Sequence, residues 1–234
     1  MARIDRHLAG LAERLLSLGA LVEDTLSKAV AALVARDQAL AGRVIESGPE
    51  IALARAAAES DCLAILALHH PVAADLRFVV TVVKTVEDLS RIADVARAIA
   101  RQTLEQLQAA TGDVPADLRS LGRLALDMVR RCIDAVATRD CGLARDVLWS
   151  QAALRQARRL VSRRLLRDLP FTGGDVEGLF GVHWIAVQIE HVASIATSIA
   201  DDLIATTEGT ALGPADGSND PIDDLSVATR VSLA

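Results

Sequence analysis

Apolar residues recur from the start of the chain at mostly alternating steps of four and three: Ile4, Leu8, Leu11, Leu15, Leu18, Val22, Leu26, Ala29 and Leu33. That heptad-like period is the seam of a long helix packed in a bundle. A helix of about 30 residues extends roughly 45 Å. Arg36-Asp37 then marks a turn, with Asp37 suited to cap the helix that follows.

The same reading continues down the chain. A second helix is expected from about Gln38 to His69, kinked or briefly broken at Ser47-Gly48-Pro49, where proline removes a backbone hydrogen bond. His70-Pro71 ends it, because a residue before proline avoids the right-handed α region. A third helix runs from about Val72 to Leu107 with the stripe Val79, Val82, Val86, Leu89, Ala93, Ala96 and Ala100. Thr111 to Pro115 reads as a linker. A fourth helix reaches about Thr138, Arg139-Asp140 repeats the turn, and a fifth covers about Cys141 to Asp168. Pro170 to Gly174 breaks the chain again. The sixth runs from about Val176 to Glu208 with the stripe Val182, Ile185, Ile189, Val192, Ala196, Ile199 and Leu203. The Gly, Pro, Asp, Ser and Asn composition after Gly209 predicts a mobile tail, with Ile222 to Leu233 as a candidate short docked helix.

Composition agrees with an all-α class. Tyrosine is absent and there are three phenylalanines, and few aromatics with few glycines over most of the chain favour helices over sheets. The formal charge of −6 opposes general nucleic-acid binding, which needs a basic surface. Few aromatics also oppose single-strand binding by base stacking. Cys62, Cys132 and Cys141 form no C-x-x-C pair and read as idle thiols in a reducing cytosol. Arg3, Asp5, Arg6 and Glu13 interrupt any signal-peptide pattern. No uncharged apolar stretch reaches about 18 residues, so a cytoplasmic chain is expected, meeting a membrane only through partners.

The chain repeats itself. Arg36-Asp37-x-x-Leu40-Ala41-x-x-Val44-Ile45 matches Arg139-Asp140-x-x-Leu143-Ala144-x-x-Val147-Leu148. Leu89, Ile92, Ala93, Ala96, Ile99 and Ala100 align with Ile189, Val192, Ala193, Ala196, Ile199 and Ala200. Both comparisons are spaced by about one hundred residues, so whole three-helix units repeat. One apolar seam per helix suits two tandem three-helix bundles, six long helices in all. The expected division is 1–110 for the first repeat, 111–209 for the second and 210–234 for the tail.

The segment Pro71-Val72-Ala73-Ala74-Asp75-Leu76-Arg77, then Asp88-Leu89-Ser90-Arg91-Ile92-Ala93-Asp94, then Ala98-Ile99-Ala100, resembles the signature of the PhoU family. In that family the stretch reads approximately P-x-A-x-D-L-R, then D-L-E-R-I-G-D, then I-A. The second copy is Ile189-Glu190-His191-Val192-Ala193-Ser194, then Ser198-Ile199-Ala200-Asp201, and the resemblance covers about residues 3 to 209. It implies a cytoplasmic adaptor, often a homodimer, that links a phosphate-importing ABC transporter, through its ATPase, to a sensor histidine kinase. It implies a negative regulator: when phosphate is plentiful such proteins hold the kinase off and repress phosphate-starvation genes.

The resemblance also implies metal binding through Glu-x-x-x-Asp, two carboxylates one helical turn apart that could share hard cations or iron with neighbouring helices. This chain departs from that pattern. Ser90 stands at the glutamate position beside Asp94, and Ser194 stands at the aspartate position after Glu190. On the preceding helix, where family members tend to be acidic, it has Gly48 and Arg55. Asp94 and Glu190 remain as candidate ligands for divalent or iron ions, but the expectation is that no cofactor is required.

Other candidates read as partner contacts. Glu87 and Arg91 stand at i, i+4 and read either as a helix-surface ion pair or, with Asp88 and Asp94, as a charged patch that meets a partner. Arg155, Arg158, Arg159, Arg163, Arg164 and Arg167 crowd the fifth helix, and Arg155-Arg159-Arg163 form one stripe. The stripe reads as a solvated or internally paired face, or as a dock for an acidic surface or an anion. Glu190 and His191 are further candidate partner contacts, but Glu190-His191 and His69-His70 are neighbours pointing about 100° apart on a helix, which does not chelate. His183 and His191 lie about 12 Å apart along the axis. No Gly-rich phosphate loop and no Ser–His–Asp or Cys–His arrangement is legible, so an enzyme is not expected. Two alternatives are a carboxylate-bound metal protein, though the chain has no Glu-x-x-His, and a PhoU-like regulator of a different transporter.

Overall fold

The computed structural model describes residues 3–108, 116–168 and 176–208, and the regular structure there is helical throughout. The helices are α1 (Arg3–Ala35), α2 (Gln38–Glu46), α3 (Gly48–His69), α4 (Ala73–Gln108), α5 (Ala116–Thr138), α6 (Cys141–Asp168) and α7 (Val176–Glu208). The expected linker at 111–115, the break at 170–174, the tail from 210 and its short helix at 222–233 lie outside the described residues, as does the boundary at residue 110.

Local chemistry explains the ends. The expected second helix is divided at Ser47 into α2 and α3. Ser47 keeps right-handed helical geometry and its hydroxyl and N–H both donate to the Val44 carbonyl, at 2.8 and 3.3 Å. Pro49 falls in the first turn of α3, where its missing N–H deprives no helical carbonyl. Each Arg-Asp pair performs two tasks. Arg36 and Arg139 adopt left-handed geometry, with φ of 54° and 57°. The N–H groups of Arg36 and Asp37 then close onto Leu33 and Ala32, and those of Arg139 and Asp140 onto Val136 and Ala135. The aspartates turn around and cap the next helix: Leu40 N donates to Asp37 Oδ1 at 2.9 Å, and Leu143 N to Asp140 Oδ1 at 3.2 Å. His70, ahead of Pro71, is also left-handed with φ of 46° and ends α3.

Every seam residue expected in the first, third and sixth helices is buried, apart from Ile4, which is partly covered. In the first half α1 packs on α3 and α4; in the second half α5 packs on α6 and α7. The halves meet where α1 lies beside α5 and α4 beside α7, so these four helices form a central layer with α3 and α6 outside it. One continuous apolar core runs through both halves.

The contact of α1 with α5 depends on two glycines. A Cβ on Gly19 would sit 2.8 Å from Ile133 Cγ2, and one on Gly122 would sit 2.6 Å from Val30 Cγ1. The same offset of 103 residues relates Gly19 to Gly122, Val30 to Ile133 and Asp37 to Asp140. The two halves thus interlock reciprocally about a pseudo-twofold axis, each lending a β-branched side chain to the other's glycine. Across α4 and α7, the buried Thr81 and Thr206 hydroxyls are 2.8 Å apart, and Lys84 pairs with Asp202 at 3.2 Å.

By length and composition α7 is apolar enough to cross a membrane, with a mean hydropathy of 1.3 over its most apolar window. Half of that window is buried within the fold, against α4, α5 and α6. Cys62 and Cys132 are buried free thiols; burial pushes the Cys62 thiol up to about 11 and Cys132 higher still.

Candidate functional site

The motif helices α4 and α7 each turn one side into the core and leave the motif polar residues at the edge facing their outer neighbours, α3 and α6. On α4, Leu89, Ile92, Ala93 and Ala96 are buried, while Glu87, Arg91 and Asp94 are exposed or half-exposed. Asp88 does not join them. It is buried, which corrects its assignment to a surface patch: the helical turn that exposes Glu87 and Arg91 carries Asp88 under the edge of the core. Burial pushes its carboxyl above the ordinary value, and Arg91 opposes that shift by hydrogen bonding.

The expected Glu87–Arg91 ion pair is also corrected. Arg91 turns to Asp88, a buried acid with the greater need of a partner, and Glu87 is met by Arg55 from α3 at 3.4 Å. Arg55 is held between Glu87 and Glu59, the latter at 2.6 Å, and its hydrogen bond to Glu59 raises its pKa further. Asp94 pairs with Arg97 one turn on. Arg97 lies over the start of α3, where a Cβ on Gly48 would overlap its guanidinium. The Gly48 that breaks the acidic pattern is therefore the seat of an arginine.

The second half repeats the theme. Arg158 Nε of α6 lies 2.5 Å from Glu190 Oε2 of α7, and each side chain is only about a quarter exposed or less. Arg158 stands 103 residues after Arg55. Both halves therefore send an arginine from the outer helix to a glutamate on the motif helix. Sequence reading grouped Arg158 with a general basic crowd and missed its role; applying the repeat offset to Arg55 would have found it. His183, whose pKa burial lowers, lies 3.4 Å from Ser162, but that hydroxyl also donates to the Arg158 carbonyl. His191 is exposed.

This donor set does not fit a carboxylate-held metal cluster. Asp94 and Glu190 lie on different helices, and each is already paired with an arginine. The hydroxyls of Ser90 and Ser194 donate to carbonyls of their own helices, at Val86 and Glu190. Among the described residues no three His, Cys, Asp or Glu side chains converge.

The two arginine pairs differ in burial, and that sets an expected result. Arg158→Ala strands a carboxylate that is 24% exposed and should cost about 1–3 kcal/mol. Arg55→Ala releases Glu87, 61% exposed, into solvent and should cost about 0–1 kcal/mol. Urea unfolding of the two variants checks this; equal losses would mean that burial does not govern these pairs.

The remaining arginines of α6 divide by face. Arg158 pairs inward and Arg164 pairs with Asp117 of α5 at 3.2 Å. Arg155, Arg159 and Arg163 are exposed and line a shallow depression of about 480 Å³ with Ala152, Gln156 and Leu160. Three guanidinium groups one turn apart offer repeated two-pronged hydrogen bonding to carboxylates or other oxyanions.

Comparison with known proteins agrees with this layout. The PhoU domain family model matches residues 15–103 and 118–203, one match in each half. The phosphate-specific transport system accessory protein PhoU of Serratia marcescens is 28% identical over 207 residues, covering 88% of this chain and 85% of that protein. The PhoU homolog of Zymomonas mobilis is 30% identical over 198 residues, covering 84% and 83%. The crystal structure of PhoU from Pseudomonas aeruginosa superposes with a TM-score of 0.81 at 28% identity, over 89% of this chain and 100% of that one. The phosphate transport system regulatory protein PhoU from Streptococcus pneumoniae also gives 0.81, at 26% identity over 88% and 98%.

Proposed function

The chain belongs to the PhoU family, and from that premise we propose that it is a cytoplasmic, non-enzymatic accessory regulator of phosphate transport. It acts as a homodimeric adaptor between the ATPase of a phosphate-importing ABC transporter and a sensor histidine kinase, and represses phosphate-starvation genes when phosphate is plentiful. The observation that carries this reading is that both halves match the PhoU domain within one chain whose likeness to named phosphate-transport accessory proteins spans most of its length.

The mechanism is a population shift. The adaptor binds the kinase conformation that does not phosphorylate its response regulator, and transporter state changes how much adaptor is free to do so. Exposed charge on a rigid double bundle suits that task. The stripe of Arg155, Arg159 and Arg163 meets an acidic partner surface, while Glu87, Arg91 and Asp94 present a mixed patch on the other half. Glu190 supports this surface by holding Arg158 rather than by touching a partner. Asp94 and Glu190 are each engaged by an arginine, and the proposed mechanism assigns no step to a metal.

A deletion strain tests the reading. Phosphate-starvation genes should be derepressed several-fold at high phosphate, and the wild-type chain should restore repression. Normal repression in the deletion strain would overturn the proposal.

A further inference from the structure

The second half carries a cationic face that the first half lacks. The 103-residue offset relating the halves carries Ala52, Ala56 and Ser60 of α3 onto Arg155, Arg159 and Arg163 of α6. The three arginines are exposed, and none of the described ion pairs uses them. Like charges one turn apart on a helix repel each other, and an anionic occupant relieves that repulsion. Leu160, 53% exposed, sits among them in the same depression. The face therefore suits a ligand that carries several carboxylates with apolar residues between them.

The chain itself supplies such a ligand. Glu208, the last residue of α7, pairs with Arg145 near the start of α6, so α7 ends beside the helix that bears the stripe. In the segment that follows, Asp216, Asp220, Asp223 and Asp224 are interleaved with Ile222 and Leu225, and Arg230 is the one basic residue between 209 and 234. Along α6, Arg155 lies about 15 Å and Arg163 about 27 Å from Arg145. Twelve residues from Glu208 to Asp220 span up to about 40 Å, enough to bring these acids over the whole stripe. Each exposed ion pair is weak alone. The tether compensates, because it holds the acids at an effective concentration on the order of millimolar.

We propose that the acidic stretch from Asp216 to Leu225 lies along Arg155, Arg159 and Arg163 of its own chain, so that an acidic partner must displace it to dock on α6. The displacement rests on the docking role proposed above for the stripe; the contact within the chain does not.

Disulfide capture in the full chain tests the contact without any partner. The background is Cys141→Ser, since Cys62 and Cys132 are buried. In it Gln156→Cys stands in the arginine-lined depression and Ser218→Cys stands between Asp216 and Asp220. Mild oxidation should join the two within one chain, giving a monomer of faster mobility on a non-reducing gel. Replacing all four aspartates by asparagine should slow that linkage about fivefold, and added salt should slow it too. Leu53→Cys, on the uncharged face of α3, should link to Ser218→Cys no faster than the neutralised segment does. A fluorescent octaglutamate peptide reads the competition. The four-asparagine chain should bind it about three to ten times more tightly than wild type, and glutamate at Arg155, Arg159 and Arg163 should abolish binding. Linkage indifferent to the aspartates and to salt, linkage only between chains, or an unchanged peptide affinity in the four-asparagine chain would each overturn the proposal. If the thiols link as expected but capture of the proposed partners ignores the stripe, the contact stands and the docking role fails. If the stripe governs capture but the thiols do not link, the docking role stands and the contact fails.

Discussion

Gly122→Leu is expected to lower the melting temperature of this protein by about 6–12 °C. A side chain on Gly122 has nowhere to go: Val30 of α1 already occupies the space, with its Cγ1 2.6 Å from where a Cβ would stand. Valine is stiff about its first side-chain torsion, so it cannot swing aside. Forcing extra carbon atoms into such a contact costs about 1–3 kcal/mol, and the upper end applies to a leucine at a helix–helix crossing. For a chain of this size each kcal/mol is worth about 2–4 °C. Gly19→Leu should behave alike, because Ile133 fills the equivalent space. Gly10→Leu is the control: no atom lies within 4 Å of its added Cβ, and helix propensity alone should make that change neutral or slightly stabilising. If the interlock is the cause, Val30→Ala should relieve part of the damage, leaving the double variant better than additive by more than about 0.5 kcal/mol in urea unfolding. Strict additivity would place the cost elsewhere.

The second large effect is on binding. Replacing Arg155, Arg159 and Arg163 together by glutamate should weaken capture of the proposed acidic partner by about 100-fold or more, while the melting temperature stays within about 1–2 °C. The three side chains are exposed and none of the described ion pairs uses them, so the fold loses little. A partner surface shaped for guanidinium groups would instead face carboxylates, and like charges set against each other cost several kcal/mol; about 1.4 kcal/mol is tenfold. Binding by the wild-type chain should fall with added salt, and the variant should be far less sensitive. Quantitative pull-downs of the two proposed partners, the transporter ATPase and the kinase, at two salt concentrations measure this. Undiminished capture by the triple variant would move the docking face off α6.

These two effects differ in how far they could be anticipated from the order of residues. The arginine stripe is visible as a spacing, because side chains at i, i+4 and i+8 share a helix face whatever surrounds them. The glycine interlock is not visible in that way. A lone glycine in a helix reads as a weakness, and only the packing of α1 on α5 shows that Gly19 and Gly122 are where the two halves touch. Asp88 and Arg91 make the same point in the charged patch. Spacing suggests Glu87 for Arg91, but Asp88 is buried and draws the guanidinium inward, and that need arises from the neighbouring helices.

By itself the sequence determined the seven-residue seams, the helix ends and the doubling of the unit. These depend on residues within one or two turns of each other: an apolar period of three and four, an aspartate whose carboxylate reaches a free N–H three residues on, a proline that cannot continue a helix. Tertiary structure alone decided which arginine holds which acid, that Arg158 in the second half does what Arg55 does in the first, and which faces of α3 and α6 were left outside the core. The reason is range. A hydrogen bond along the backbone is satisfied locally, but a buried charge or a missing Cβ acquires its meaning from whichever helix is packed across it, and residues dozens to more than a hundred positions away supply that helix.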